Sequence, residues 1–394
     1  MSAKAHIDKF REIIAGPTNR YIERWKGSGR GVIGYFCSYV PVELIMAAGM
    51  LPVRLRGAGS TDSGIADAYL SARICTYVRH TLTLALTGQY DYLDGEIGLN
   101  SCDHVRRAFD LWRHKTKVPF HGFVSVPRNV RDSLFPYYKE EIENLKAALE
   151  KQFSISIGDA ELRVAISKQN QVKSRLQKID ELRGREIPGL SGAEALTATI
   201  ASFVMPADDF IKAADELIAA AGKEAAGREK PRARLLLAGG ELDEPGFVEA
   251  IESQGAVVAA DALCFGTRAF PEAVDEEAGD PLEALCQRYF FQTPCARMIG
   301  NFPERFDAVM EAIAERGIDG IVVQRLKFCD PWGAEAHKLR LRCKRVGVPL
   351  LVLEREYGLV HAGQVRTRVQ AFLEMISASN RKGRARARAR ARAR

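Results

Sequence analysis

Apolar residues recur along this chain in two rhythms. GVIGYFC (31–37), PVRLRG (52–57), DYLDGEIGLNSCD (91–103) and KVPFHGFVSVPR (117–128) read as strands in the first third. Between them lie helical patterns. Residues 1–27 read as one helix. ELIMAAG is a compact helix with Pro41 in its first turn and Gly49 at its end, and SARICTYVRHTLTLALTG is a helix with Cys75 near its start. From 132 to about 227 the period is almost purely 3.6, and YYKEEIENLKAALEKQF adds i,i+4 charge pairs. ADDFIKAADELIAAAGKEAAG closes that stretch and reads, with REKPRAR, as a linker. Alternation then resumes. RLLLAGGELD, AVVAADALCFG, GIVVQRLKFC and VPLLVLEREYG are strands. EPGFVEAIESQG, PLEALCQRYFF, ERFDAVMEAIAERG, GAEAHKLRLRCKRVG and QVRTRVQAFLEMI are helices.

Strand–helix alternation predicts an α/β fold: two parallel-sheet α/β domains facing each other, with a helical segment between them. The expected divisions are an N-terminal α/β domain over 1–131, a mainly helical segment and linker over 132–230, and a second α/β domain over 231–379. A tail over 380–394 completes the chain. Its 394 residues exceed what one simple core usually serves. No short-period repeat suggests a solenoid.

Charge changes the picture in one place. The net charge is +7, but the last fourteen residues, RKGRARARARARAR, carry eight positive side chains. Subtracting those eight leaves −1 for the rest, so the basicity belongs to the tail. Such a run buries nothing and is expected to be disordered. No aromatic platform or recognition motif accompanies it, so nucleic acid is not expected as a partner. The apolar runs are too short for a membrane span, and MSAKAHIDKFREIIAG lacks the apolar core of a signal peptide. A cytoplasmic location is expected.

The candidate chemistry lies in eight cysteines. No CxxC occurs among them. In open α/β sheets ligands collect beyond the carboxyl ends of strands, and Cys37, Cys102 and Cys329 occupy such positions. Cys102 and Cys329 each precede a helix whose N-terminal N–H groups would stabilise an anionic centre. Soft thiolates favour iron–sulfur clusters or zinc. The intervals of 38, 27 and 227 residues linking Cys37, Cys75, Cys102 and Cys329 form no compact motif. Scattered structural thiols, a metal centre, and a nucleophilic cysteine near His104 or His121 all remain open on the residues alone. Cys264, Cys286, Cys295 and Cys343 read as small buried hydrophobes. The lone GxG in GAGSTDSG (57–64) is too weak a signal for a phosphate cradle.

Several segments, taken in order, resemble a known family. YFCSYVPVELIMAAGMLPVRLRG, SARICTYVRHTLTLAL, NSCDHVRRAFD, RLLLAGGELDEPGFVEAIESQGAVVAADALCFG, LKFCDPWGAEA and GQVRTRVQAFLEMI are similar to the 2-hydroxyacyl-CoA dehydratase and benzoyl-CoA reductase subunits, over roughly residues 30 to 376. The resemblance implies one [4Fe–4S] cluster held by three cysteines, best matched by Cys75, Cys102 and Cys329. It also implies a related second subunit and an ATP-dependent iron–sulfur activator that delivers electrons at low potential. The substrate would be an acyl-CoA thioester, reduced by one electron to a ketyl radical anion or, in the reductase branch, reduced in its aromatic ring. Cys37 is a fourth ligand candidate, with a pocket-wall thiol as the plain alternative; Cys37 and Ser38 are substrate-pocket candidates, with a helix N-cap as the plain alternative for Ser38. Glu43, Asp103 and Asp330 read as capping groups. Arg54, Arg56 and Arg79 read as solvated or CoA-phosphate contacts, and Glu354, Arg355 and Glu356 as cleft residues or mutual partners. The compact length and DGEIGLNSCDHVRR lean towards the reductase branch. A non-catalytic electron-transfer or assembly subunit is the alternative.

Overall fold

The computed structural model describes residues 1–392 apart from 225–228, 271 and 359–361, with side chains described as far as 378. Two four-stranded, all-parallel sheets form its frame, as the alternation predicts. The first has the order β2-β1-β3-β4, built from β1 (Val32–Tyr35), β2 (Leu51–Arg54), β3 (Gly95–Leu99) and β4 (His121–Val124). The second has the order β6-β5-β7-β8, from β5 (Ala233–Gly239), β6 (Ala256–Leu263), β7 (Gly320–Leu326) and β8 (Leu350–Arg355).

The predicted N-terminal helix is in fact two, α1 (Ala3–Ile14) and α2 (Arg20–Gly27). Pro17 cannot continue the hydrogen-bond ladder, and Asn19 restarts it by accepting from the N–H groups of Tyr21 and Ile22. Within the first sheet run α3 (Val42–Ala47), α4 (Gly64–Asp67), α5 (Thr76–Leu86) and α6 (Asp103–Lys115). The helical segment holds α7 (Phe135–Phe153), α8 (Asp159–Gly184), α9 (Gly192–Ser202) and α10 (Ala207–Glu224). The stretch expected to act as linker is mostly α10, which buries Phe210, Ala214, Leu217 and Ala221 against α1 and α8. Residues 225–228 lie outside the described residues. The second sheet carries α11 (Pro245–Glu252), α12 (Pro281–Phe290), α13 (Phe302–Arg316), α14 (Asp330–Val346) and α15 (Ala362–Arg392). α15 runs as far as Arg392, so the backbone is helical where a disordered tail is expected from 380 on; side chains from 379 and residues 393–394 are outside the described residues.

Strand β5, ARLLLAG, shows why the sequence forms a covered parallel sheet. Successive residues point to opposite faces. Leu235 and Leu237 join the main core, whereas Leu236 and Ala238 join a second apolar cluster with Phe306 of α13 and Trp332 of α14. Both faces are buried, so the run is apolar without alternation. The helical segment joins the two halves: α8 packs on α3, α12 and β6, and α9 on α1, α11 and β6.

A buried pair on the first sheet makes a testable pH signature. Glu96 of β3 and His121 of β4 share a hydrogen bond of 2.9 Å, while Glu96 Oε2 is buried without a partner. Burial pushes the Glu96 carboxyl well above its usual 4.5 and the His121 imidazole below its usual 6.5. Both shifts favour the neutral forms of the two groups. A carboxyl raised in the folded state stabilises at low pH and loses that contribution as pH rises from about 4.5 towards its folded value. His121, lowered in the folded state, works oppositely: its contribution is complete above 6.5 and falls away below it. In Glu96→Gln only the histidine contribution remains. Urea midpoints measured from pH 4.5 to 8 are expected to show the variant gaining steadily on the unsubstituted protein as pH rises.

Candidate metal centre

The carboxyl ends of β1, β3, β5, β6 and β7 lead to one buried region, and six of the eight cysteines gather there. Cys102 and Cys329 follow β3 and β7 and are the N-cap residues of α6 and α14; Cys75 is the N-cap of α5. The strand expected to run to Cys102 stops at Leu99. Asn100 turns the chain away, accepting from Val126 N–H and donating to Ser125 Oγ. β7 likewise stops at Leu326, and Phe328 takes a left-handed φ of 66° to bring Cys329 onto the helix start. In both turns the strand ends early because the thiol belongs to the helix cap. Asp103 and Asp330 are first-turn residues and not caps, and Asp103 pairs with Arg107.

Cys75, Cys102 and Cys329 are electrostatic neighbours. Burial drives the Cys75 thiol well above its usual range, and Cys102 and Cys329 raise it further. Burial pushes Cys102 up to about 11, with the Val105 N–H opposing, and Cys329 up to about 12, with the Trp332 N–H opposing. Val105 N–H donates to Cys102 Sγ at 3.5 Å. His104 is also here: its Nδ1 accepts from the Cys75 N–H at 3.2 Å, so it supports the loop and does not address a thiol. His121 is occupied by Glu96.

Among the described residues no three His, Cys, Asp or Glu side chains could hold a single metal ion. One ion needs all its thiolates about 2.3 Å away. In a polynuclear cluster each cysteine binds a different metal atom, so the sulfurs stand farther apart. The donor set fits such a group: three thiols from three loops, two of them rooted in different sheets, each at a helix N-terminus whose N–H groups favour negative charge.

Cys37 lies two residues beyond β1. Burial raises its thiol first, and Cys295 raises it next. Cys295, expected to be a structural thiol, thus faces the site, and so does Cys264, one residue beyond β6. Only Cys286 and Cys343 are plain core thiols. Ser38 does not cap a helix, since Pro41 holds that position in α3. Its hydroxyl donates to the Cys264 carbonyl at 3.2 Å and accepts from Arg54 Nη1 at 2.9 Å. Ser38 and Arg54 also line a cavity of about 330 Å³ with Tyr35, Met46, Phe203 and Tyr289.

The basic and acidic residues divide by role. Arg54 is not solvated. It is 1% exposed and reaches the Cys264 carbonyl at 2.8 Å. Arg56 is equally buried and binds the carbonyls of Ile14 and Gly16, a structural task. Arg79 pairs with Asp67. Arg355 binds Gln324 and Glu244, Glu354 pairs with Arg325, and Glu356 with Lys327. Glu43 is no cap. It is fully buried, bound by Lys173 Nζ at 3.0 Å and by Tyr289 Oη at 2.7 Å. Glu241, two residues beyond β5, is a site residue that the sequence pattern does not single out. Burial raises its carboxyl, and its charge in turn bears on Cys37, Cys75, Cys102, Cys264 and Cys329. Its one local signal is a glycine turn, AGGELD, at a strand's carboxyl end.

With this geometry in place, similarity to known proteins gives it context. The sequence profile of the 2-hydroxyglutaryl-CoA dehydratase, D-component family matches residues 37–376. One of the subunits of benzoyl-CoA reductase from Thauera aromatica is 27% identical, covering 90% of this chain and 93% of that protein. The (R)-phenyllactyl-CoA dehydratase beta subunit of Clostridium sporogenes is 26% identical, covering 94% and 98%. The beta subunit of (R)-2-hydroxyglutaryl-CoA dehydratase from Acidaminococcus fermentans is 24% identical, covering 95% and 100%.

Proposed function

The chain belongs to the 2-hydroxyglutaryl-CoA dehydratase D-component family, and from that premise we propose that it is the iron–sulfur subunit of an acyl-CoA reductase or dehydratase, with Cys75, Cys102 and Cys329 as ligands of a [4Fe–4S] cluster. It is an enzyme subunit; its relatives are named as subunits of reductases and dehydratases. The observation that carries the reading is the meeting of these three thiols from separate loops of both sheets. A cluster held by three cysteines supplies an iron open to substrate and single electrons at low potential.

The chain's own residues do the remaining work. The first turns of α5, α6 and α14 turn N–H groups towards the sulfurs and so stabilise thiolates against the cost of burial. The site is enclosed by both sheets, which limits water around a strongly reducing centre. The cavity beside Ser38 and Arg54 is at the small end of ligand pockets and would take the acyl group of a CoA thioester. Ser38's proton is already committed to the Cys264 carbonyl, so Ser38 shapes the cavity wall. Arg54 Nε is buried without a partner and is the donor available to a ligand oxygen. A related second subunit and an ATP-dependent iron–sulfur activator complete the proposed system, and the electron enters from that activator. No described helix is long and apolar enough to cross a membrane.

The test is anaerobic turnover by the chain with its second subunit, activator and ATP, offered benzoyl-CoA and a 2-hydroxyacyl-CoA in turn. ATP-dependent conversion of one of them is expected. Loaded protein that accepts electrons but converts neither would replace this reading with the electron-transfer subunit.

A further inference from the structure

A second cavity of about 330 Å³ lies between the second sheet and its covering helices α13 and α14. It exists because small side chains stand where a covered parallel sheet usually carries large ones. These are Ala238 of β5, Ala260 and Ala262 of β6, and Ala308 and Ala312 of α13. Filling this space to ordinary core density would take Val, Ile or Leu at such positions. Leu236, Val309, Trp332 and Leu339 complete an apolar wall. Glu272 and Glu315 stand exposed at the rim.

The ionised groups set into the wall are paired, with one exception. Arg305 holds Glu335 through hydrogen bonds of 2.7 and 2.8 Å, Arg316 binds Asp180 at 2.6 Å, and Asp261 binds Arg183 at 2.6 Å. Arg268 pairs with no carboxylate among the described residues. Its Nε is buried without a partner. Its Nη1 reaches Cys264 Sγ at 3.8 Å, and its other acceptor is Cys295. Thiol sulfur is a weak acceptor. Glu241 feels the Arg268 charge, but it is paired with Arg54 at 3.4 Å. A guanidinium is a planar fork that matches a carboxylate with two parallel hydrogen bonds. An apolar wall with one charged group to fix orientation is the usual build of a ligand pocket.

We propose that this cavity binds a small apolar monocarboxylate, with its carboxylate on Arg268 and its body between the second sheet and α13. The class follows from the two parts of the chamber. A cation that lacks a carboxylate favours an anion, and the alanine-lined wall favours hydrocarbon over a sugar or a phosphate. A second negative charge on the ligand would meet either that wall or Glu272 and Glu315 at the rim. The site stands apart from the cluster assignment. No cysteine lines the cavity, and none of its lining residues belongs to the cavity beside Ser38.

Isothermal titration calorimetry on the full chain, kept anaerobic, compares 3-phenylpropanoate with its neutral amide, 3-phenylpropanamide. The acid is expected to bind about tenfold to a hundredfold more tightly, the range for a hydrogen bond to a charged group. Arg268→Gln should bring the acid down to the level of the amide and leave the amide unchanged. Ala312→Leu fills the chamber and keeps the guanidinium, and it should abolish binding of both compounds. Equal affinities for acid and amide overturn the role of Arg268, as does unaltered acid binding in Arg268→Gln. Binding that survives Ala312→Leu lies elsewhere and overturns the site, and so does the absence of binding by the acid at millimolar concentration. Circular dichroism checks folding. Should Arg268→Gln not fold, the ratio of acid to amide affinity on the unsubstituted chain and the Ala312→Leu variant decide the matter.

Discussion

Alanine in place of Cys329 is expected to leave a folded protein that has lost iron and at least about a thousandfold in acyl-CoA turnover, the order seen when an essential active-site group is removed. Cys329 is the clean position for this experiment. It sits at the N-cap of α14, yet its side chain makes no capping hydrogen bond. Removing its sulfur therefore takes little from the helix, and the melting transition should move by about 1 kcal/mol or less. Cys102 is a poorer choice because its sulfur accepts from Val105 N–H, so its loss mixes capping with ligation. If Cys329→Ala kept full iron and full turnover, the ligand assignment would fall.

The largest stability effect is expected at Lys173. Substitution by methionine should cost about 3–5 kcal/mol, the penalty for stranding a buried charge. Lys173 in α8 and Glu43 in α3 are both buried, with Tyr289 of α12 as the third member. Burial alone would raise the Glu43 carboxyl, but Lys173, then Arg288 and the Tyr289 hydroxyl, outweigh it and hold the carboxyl below its usual value. Without the ammonium the carboxylate is left in the core with only the weaker partners. Urea denaturation measures the loss. The double variant Glu43→Gln/Lys173→Met should recover most of it, since removing both charges removes the stranded one. Additive losses in that variant would show that the side chains act through packing and not as a pair.

Much of the frame was legible in the sequence. Apolar runs bounded by glycine and charge marked the eight strands, and their alternation with helices implied parallel pairing. Cys102 and Cys329 stood out because each separates a strand pattern from a helix pattern. What stayed hidden depended on contacts far apart in the chain. Cys264 obeys the same positional rule as Cys329, but ALCFG has no helix directly behind it and passes for core. Cys295 follows no strand, and only the fold carries it to Arg268. Glu43 lies in an apolar helix, where its partner, 130 residues away, leaves no local trace. Arg54 and Arg56 looked solvated because they lie at the end of a strand, yet Phe203 after α9 covers Arg54 and the loop after α1 covers Arg56.

Neither sheet alone carries a full set of three thiols. Retention of the proposed cluster would therefore report on how far the two halves breathe apart, since any excursion that separates them would stretch bonds on both sides at once. The Lys173–Glu43–Tyr289 clasp lies across the same halves, which would make it a governor of how long the proposed cluster survives a chelator or air.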